Sequence, residues 1–202
     1  MKWSRAVHHL SALADSCAEM AGRLSSIVSL RVTQLWAVGD VLGPPGELEH
    51  VTVALCVDLP MEQVACWTRP PGAEQWAYAT RMTKNPILVW WRSAHAPVSN
   101  HRIDRPALIW DQGSGVIAET LAALRDGRGE SVRSAAPSPA EMKVRLDEEL
   151  AVSLAALRAA SAAYEARRWS PGKLEPVADA LWRASDGYLD VLAGNRETMN
   201  NR

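Results

Sequence analysis

Leu30-Arg-Val-Thr-Gln-Leu-Trp-Ala-Val38 and Val51-Thr-Val-Ala-Leu-Cys-Val57, joined by Gly39-Asp-Val-Leu-Gly-Pro-Pro-Gly-Glu-Leu-Glu49 and His50, decide how this chain folds. The first run alternates in part and is rich in branched and aromatic side chains, as a half-buried strand is. The second is nearly all apolar, as a strand covered on both faces must be. The connection holds three glycines and a proline pair, so it is a turn-rich loop. A sheet covered on two sides needs further layers, and the flanking sequence supplies them.

Upstream, Trp3, Ala6, Val7, Leu10, Leu13, Ala14, Cys17, Ala21, Leu24, Ile27 and Val28 recur at steps of three and four. That spacing predicts one long helix over Trp3 to Val28. Downstream, Pro60–Trp67 and Ala73–Met82 read as short helical pieces separated by Arg69-Pro-Pro-Gly72. Pro86–Trp91 and Ala107–Trp110 read as two more strands, and Gly115–Arg125 as a helix stopped at Asp126-Gly127.

Residues 128–137 form the best linker, and the pattern changes after it. Ser138-Pro-Ala-Glu141 is a helix start, with Ser as cap, Pro in the first turn and Glu three residues on. That helix meets no breaker before Arg168. Ser170-Pro-Gly172 turns the chain. Leu174, Val177, Ala178, Leu181, Trp182, Ser185, Tyr188, Leu189 and Leu192 then form the apolar stripe of a last helix, ending at Gly194. The expected architecture is α+β. A mixed sheet of about four strands flanked by helices occupies residues 1–127, the linker 128–137, an antiparallel helical hairpin 138–194 and a frayed tail 195–202.

The 202 residues carry 22 basic and 23 acidic side chains, a net charge of −1, with 48 % hydrophobic residues. That balance excludes a disordered chain. No apolar run approaches the ~18 residues of a membrane span, and no continuous apolar stretch stands behind Met1–Arg5, so no secretory leader is expected. Cys17, Cys56 and Cys66 are odd in number and lie in apolar surroundings. They read as reduced thiols of a cytoplasmic protein.

Four places could carry chemistry. From Arg69 to Arg105 six basic residues stand against two acidic ones, a local charge of +4. Trp90-Trp91 precede its polar loop, and Arg92, His95, His101, Arg102 and Arg105 are the candidate ligand- or partner-binding residues there, since Arg and aromatic groups together hold phosphates or nucleotides. The competing reading is that these arginines pair with helix acids such as Asp147, Glu148 and Glu149. A sequence pI near 6.5 disfavours a nucleic-acid partner. His95 and His101 titrate near neutrality and could act as acid–base groups, yet no nucleophile pairs with them in sequence. No His–Cys spacing of the zinc type occurs, so no metal is expected. Glu175, Asp179, Asp186 and Asp190 fall at steps of four and seven on the last helix and read as a solvated face. The tryptophans at 3, 36, 90, 110 and 182 read as core, as do Trp67, Trp76 and Trp169 at element ends.

The strand ending in Gly39-Asp40, with Glu49 entering the next strand, resembles an eroded nucleotidyltransferase pattern. In that family a Gly-Ser turn precedes two acids, one residue apart, that hold Mg²⁺ for phosphoryl transfer. Here Asp40 stands for the Ser, Glu49 for the first acid and Val51 for its partner, with Asp111 available as a third carboxylate. The resemblance implies Asp40, Glu49 and Asp111 as catalytic candidates with Mg²⁺ as cofactor. Arg31-Val-Thr-Gln-Leu-Trp-Ala-Val-Gly-Asp40, Lys84-Asn-Pro86 and Gly172-Lys-Leu-Glu-Pro-Val-Ala-Asp-Ala-Leu-Trp-Arg-Ala-Ser-Asp-Gly-Tyr188 also resemble an uncharacterised family of actinobacterial proteins of about this length. That resemblance implies no activity. The expectation is therefore a non-catalytic binding or regulatory protein without cofactor, meeting a protein partner or a second copy of itself. The alternative is a divergent Mg²⁺-dependent nucleotidyltransferase-like enzyme.

Overall fold

The computed structural model describes residues 1–22 and 29–200, with side chains to Thr198. Helix α1 (Trp3–Ala21) precedes strands β1 (Val32–Val38) and β2 (Val51–Val57). The last part of the predicted first helix, 23–28, lies outside the described residues. Helix α2 (Ala73–Ala79), strands β3 (Ile87–Ser93), β4 (Ala107–Asp111) and β5 (Gly115–Val116) and helix α3 (Ala118–Arg125) follow. Helices α4 (Pro139–Arg167) and α5 (Glu175–Asn200) close the chain.

The five strands form one sheet in the order β3-β2-β1-β4-β5. β1 pairs antiparallel with β2 and β4, and β4 with β5, whereas β2 and β3 run parallel. Parallel neighbours need a long crossover, and the segment carrying α2 supplies it. The sheet is mixed, as expected, with one strand more than expected. The extra strand is the two-residue β5, folded back from β4 by a turn, where the sequence suggested the start of a helix.

One face of the sheet builds the main core. Val51, Val53, Leu55 and Val57 of β2 alternate onto it and meet Leu10, Leu13 and Cys17 of α1, Trp76 of α2 and Leu124 of α3. The Trp3 indole N–H donates to Leu124 O at 3.0 Å and ties α1 to α3. The other face is smaller: Val38, Ala54 and Ile103 with Trp36, Trp90 and Val98. β2 is thus covered twice, which is why its sequence is apolar throughout. Segment 60–67 contributes a 3-10 turn at Met61–Gln63 where a longer helical piece was expected.

Helix α4 opens with the predicted capping box: Glu141 N–H donates to Ser138 Oγ at 3.3 Å, and Ser138 N–H to Glu141 Oε2 at 2.7 Å. α4 and α5 pack antiparallel, since Asn195 near the end of α5 donates to Asp147 near the start of α4 at 2.9 Å. The 128–137 linker is pinned to the sheet domain. A Cβ at Gly129 would lie 2.8 Å from Leu42 O, and Ser134 N–H donates to Pro106 O.

Two expectations for α5 need correction. The helix continues past Gly194 to Asn200, with Asn195 buried, so the tail is not frayed before that point. The expected apolar stripe is also not its deepest face: Trp182 is 62 % exposed and Leu189 61 %, while the rest of the stripe is half-buried. Ala184, Gly187, Val191, Gly194 and Asn195 point inward instead. A Cβ at Gly187 would sit 2.1 Å from Cys66 O, and one at Gly194 2.6 Å from the His101 ring. These glycines are close-approach points, not stops; only a bare Cα lets α5 lie so near the loops beneath it.

Candidate functional site

The second face of the sheet decides where the basic segment goes. In β3 the even-numbered residues Trp90 and Arg92 project to that face, beneath loop 94–106. Arg92 is buried, as is Glu149 of α4, and the two form an ion pair. Arg92 Nη2 also donates to Pro97 O at 3.1 Å. Asn100 completes the cluster. Its amide donates to Glu149 Oε2 at 2.9 Å, while its Oδ1 accepts from Arg102 N–H at 2.9 Å and Ile103 N–H at 3.0 Å. Burial by itself would lower the Arg92 pKa, but the neighbouring Glu149 carboxylate reverses this and holds it above its usual range.

A second cluster lies beside it. Asp190 of α5 accepts from Trp67 Nε1 at 3.1 Å, from Arg102 Nε at 2.9 Å and from His101 at 3.0 Å. A carboxylate only accepts, so His101 Nε2 carries the hydrogen. The Asp190 side chain is 9 % exposed. Burial, the largest influence, pushes its pKa up, yet Arg102 and His101 together hold it below the usual carboxylate range. Asp190 therefore leaves the solvated acidic face to which its spacing assigned it.

Arg92, His101 and Arg102 thus converge on acids of the hairpin and pin α4 and α5 to the sheet domain. His95 and Arg105 do not join them. His95 pairs with Asp58 at 3.0 Å on an exposed edge, and Arg105 with Glu130 at 2.6 Å. Cys66 lies near these charges, but burial pushes its thiol up to about 12, which removes the thiolate that nucleophilic chemistry needs.

The three acidic candidates do not share a site. Asp111 faces Gln34 across the β1–β4 ladder, whereas Asp40 follows Val38 at the other end of β1. The four strand steps between Gln34 and Val38 alone span ~13 Å, far beyond the ~4 Å separating paired catalytic metals. Glu49 lies at the Asp40 end, and Asp40 and Glu49 are both exposed. Asp111 has local work: it accepts from Gly113 N–H at 2.9 Å, Ser114 N–H at 3.1 Å and Gln34 Nε2 at 3.1 Å, shaping the β4–β5 turn. Among the described residues no three His, Cys, Asp or Glu side chains gather as a metal site would require.

The most developed concavity is a cleft of about 550 Å³ along β3. Its walls include all six residues from Ile87 to Arg92, with Trp67, Ala77, Tyr78, Met82, Ile103, Arg69, Arg102 and Arg183. Consecutive strand residues alternate between faces, so a cleft that touches six in a row follows the strand's open edge. Its aromatic walls are braced: Trp67 meets Trp90 edge-on at 5.3 Å, and Trp76 meets Trp91 edge-on at 5.9 Å. Sequence reasoning marked Trp90-Trp91 and Arg102 but not the wall from α2. Tyr78 is 82 % exposed there, and nothing in a seven-residue helix announces which side it offers.

A mixed sheet closed by a docked helical hairpin, with an aromatic cleft on its edge strand, defines the class. Over residues 1–197 the chain matches the family described as "Domain of unknown function (DUF7711)", and it belongs to that family. No curated protein and no solved structure matches it.

Proposed function

We propose that the protein is a non-catalytic binding or regulatory module whose working surface is the β3 cleft. One observation carries this reading: the cleft is of ligand size and mostly apolar and aromatic, with Arg69, Arg102 and Arg183 at its margin against one lining carboxylate, Glu74, which pairs with Arg69. Preformed ligand sites have that make-up. The chemistry it suits is an apolar or aromatic group bearing negative charge. The basic loop, read first as the contact surface, is better explained as a strut, because Arg92 and Arg102 spend their charge on Glu149 and Asp190. The three free cysteines and the resemblance in sequence support the cytoplasm of an actinobacterial cell as its setting.

The test uses the full chain and anilinonaphthalene sulfonate, an aromatic anion that brightens on apolar sites. Native protein should bind it saturably at one site, and Leu88→Asp, on the exposed part of the cleft wall, should weaken that binding at least tenfold. Absence of saturable binding, or binding that Leu88→Asp leaves unchanged, contradicts the reading.

A further inference from the structure

The backbone along the cleft says more than its side chains. In the parallel β2–β3 ladder Val51 N–H donates to Pro86 O and Ala94 N–H to Val57 O. That register turns the carbonyl of Pro86, the amides and carbonyls of residues 88, 90 and 92, and the amide of Ala94 toward β2. Those of Val89 and Trp91 therefore point outward along the edge that the cleft follows. Among the described residues neither has a backbone partner there. Exposed edges are usually blunted by charge, proline or a covering segment. Val89 and Trp91 carry no charge, no proline interrupts β3, and the edge opens into a cleft.

We propose that this edge takes an extended peptide segment of a partner protein as a sixth strand, with an apolar centre and acidic flanks. The proposal rests on the cleft being the working surface. Strand addition draws affinity from backbone hydrogen bonds and selectivity from pockets for alternate side chains. Here one set of side chains would face Ala77 and Met82, the other Trp67 and Ile103. Charge selects the occupant. Arg81 and Lys84, just before β3, have no carboxylate partner among the described residues. Arg102, 56 % exposed, already gives Nε and Nη2 to Asp190, so Arg81 and Lys84 carry the charge selection. A second copy of this chain would bring the same cations against these, which opposes edge-to-edge self-pairing.

The probe is acetyl-Glu-Glu-Val-Ile-Val-Glu-Glu-amide, compared with its counterpart in which Lys replaces every Glu. The acidic peptide should bind the full chain at least tenfold more tightly at low salt, and slow hydrogen exchange at the Val89 and Trp91 amides. N-methylation of alternate peptide bonds should abolish binding, as should Val89→Pro, which an edge strand tolerates. The methylated peptide keeps the test valid if that variant fails to fold. Equal binding of the two peptides, protection at other amides, or concentration-dependent dimerisation protecting Val89 and Trp91 without peptide would overturn the proposal. So would saturable dye binding with no peptide binding, which leaves the cleft reading standing. Loss of both removes both.

Discussion

Arg92 stands out in the sequence with two readings, a ligand contact or a pair with a helix acid, and the structure places it in the pair. A local charge of +4 marked its segment, and the acids named as competing partners included Glu149, which is the one it meets. Sequence separation hid this, because the two stand 57 positions apart. The pair is buried, so removing one partner leaves an uncompensated charge. Glu149→Leu should destabilise the protein by about 3–5 kcal/mol. The double variant Arg92→Met with Glu149→Leu should recover most of that loss, since well-packed apolar replacements of buried ion pairs are often neutral. Urea unfolding of both variants checks this; equal destabilisation by single and double variants would show that the ion pair is not what matters there. Gly187 carries the opposite lesson. On an open helix Gly→Ala stabilises by about 1 kcal/mol, but here a Cβ would strike Cys66 O at 2.1 Å. Gly187→Ala should therefore destabilise by about 1–3 kcal/mol, as other forced overpacking does.

Elements were more legible than residues. β2 and the start of α4 stand where their patterns put them, because an all-apolar seven-residue run and a Ser-Pro-x-Glu start each have a local cause. Period reading found the helix α5 but misplaced its deepest face. It assumes that large apolar side chains face the core, whereas this helix approaches so closely that only small residues fit, leaving Trp182 and Leu189 outside. β5 was missed because a two-residue strand has no period. The cleft was half legible: Trp90 and Trp91 sit on a strand that reads as one, but its exposed edge is a fact of strand order, which no local pattern encodes.

At the scale of the molecule, ion pairs link the hairpin to the sheet domain: Arg92 with Glu149, and Arg102 and His101 with Asp190. Asp190 has its folded pKa depressed, so its contribution is fully present above the unfolded carboxyl value near 4 and is lost as pH falls through the lower folded value. Asp190→Asn should lower stability at pH 7 and flatten the decline below about pH 4, measured by denaturant unfolding across the acid range. An unchanged acid profile would place the acid-sensitive contact elsewhere. Docking α5 through Asp190 also fixes Trp67 and Arg102, two walls of the cleft. The hairpin thereby builds part of the proposed binding surface, and the variant should weaken dye binding in parallel with stability.

The central claim is that ligands enter along β3, not on the exposed tryptophans of the hairpin. Two-dimensional NMR of the nine Trp indole N–H groups, titrated with anilinonaphthalene sulfonate, reads both surfaces in one experiment. Shifts concentrated on Trp67, Trp90 and Trp91, with Trp169 and Trp182 unmoved, are the result this account predicts. Shifts confined to Trp169 and Trp182, with the β3 tryptophans silent, would contradict it.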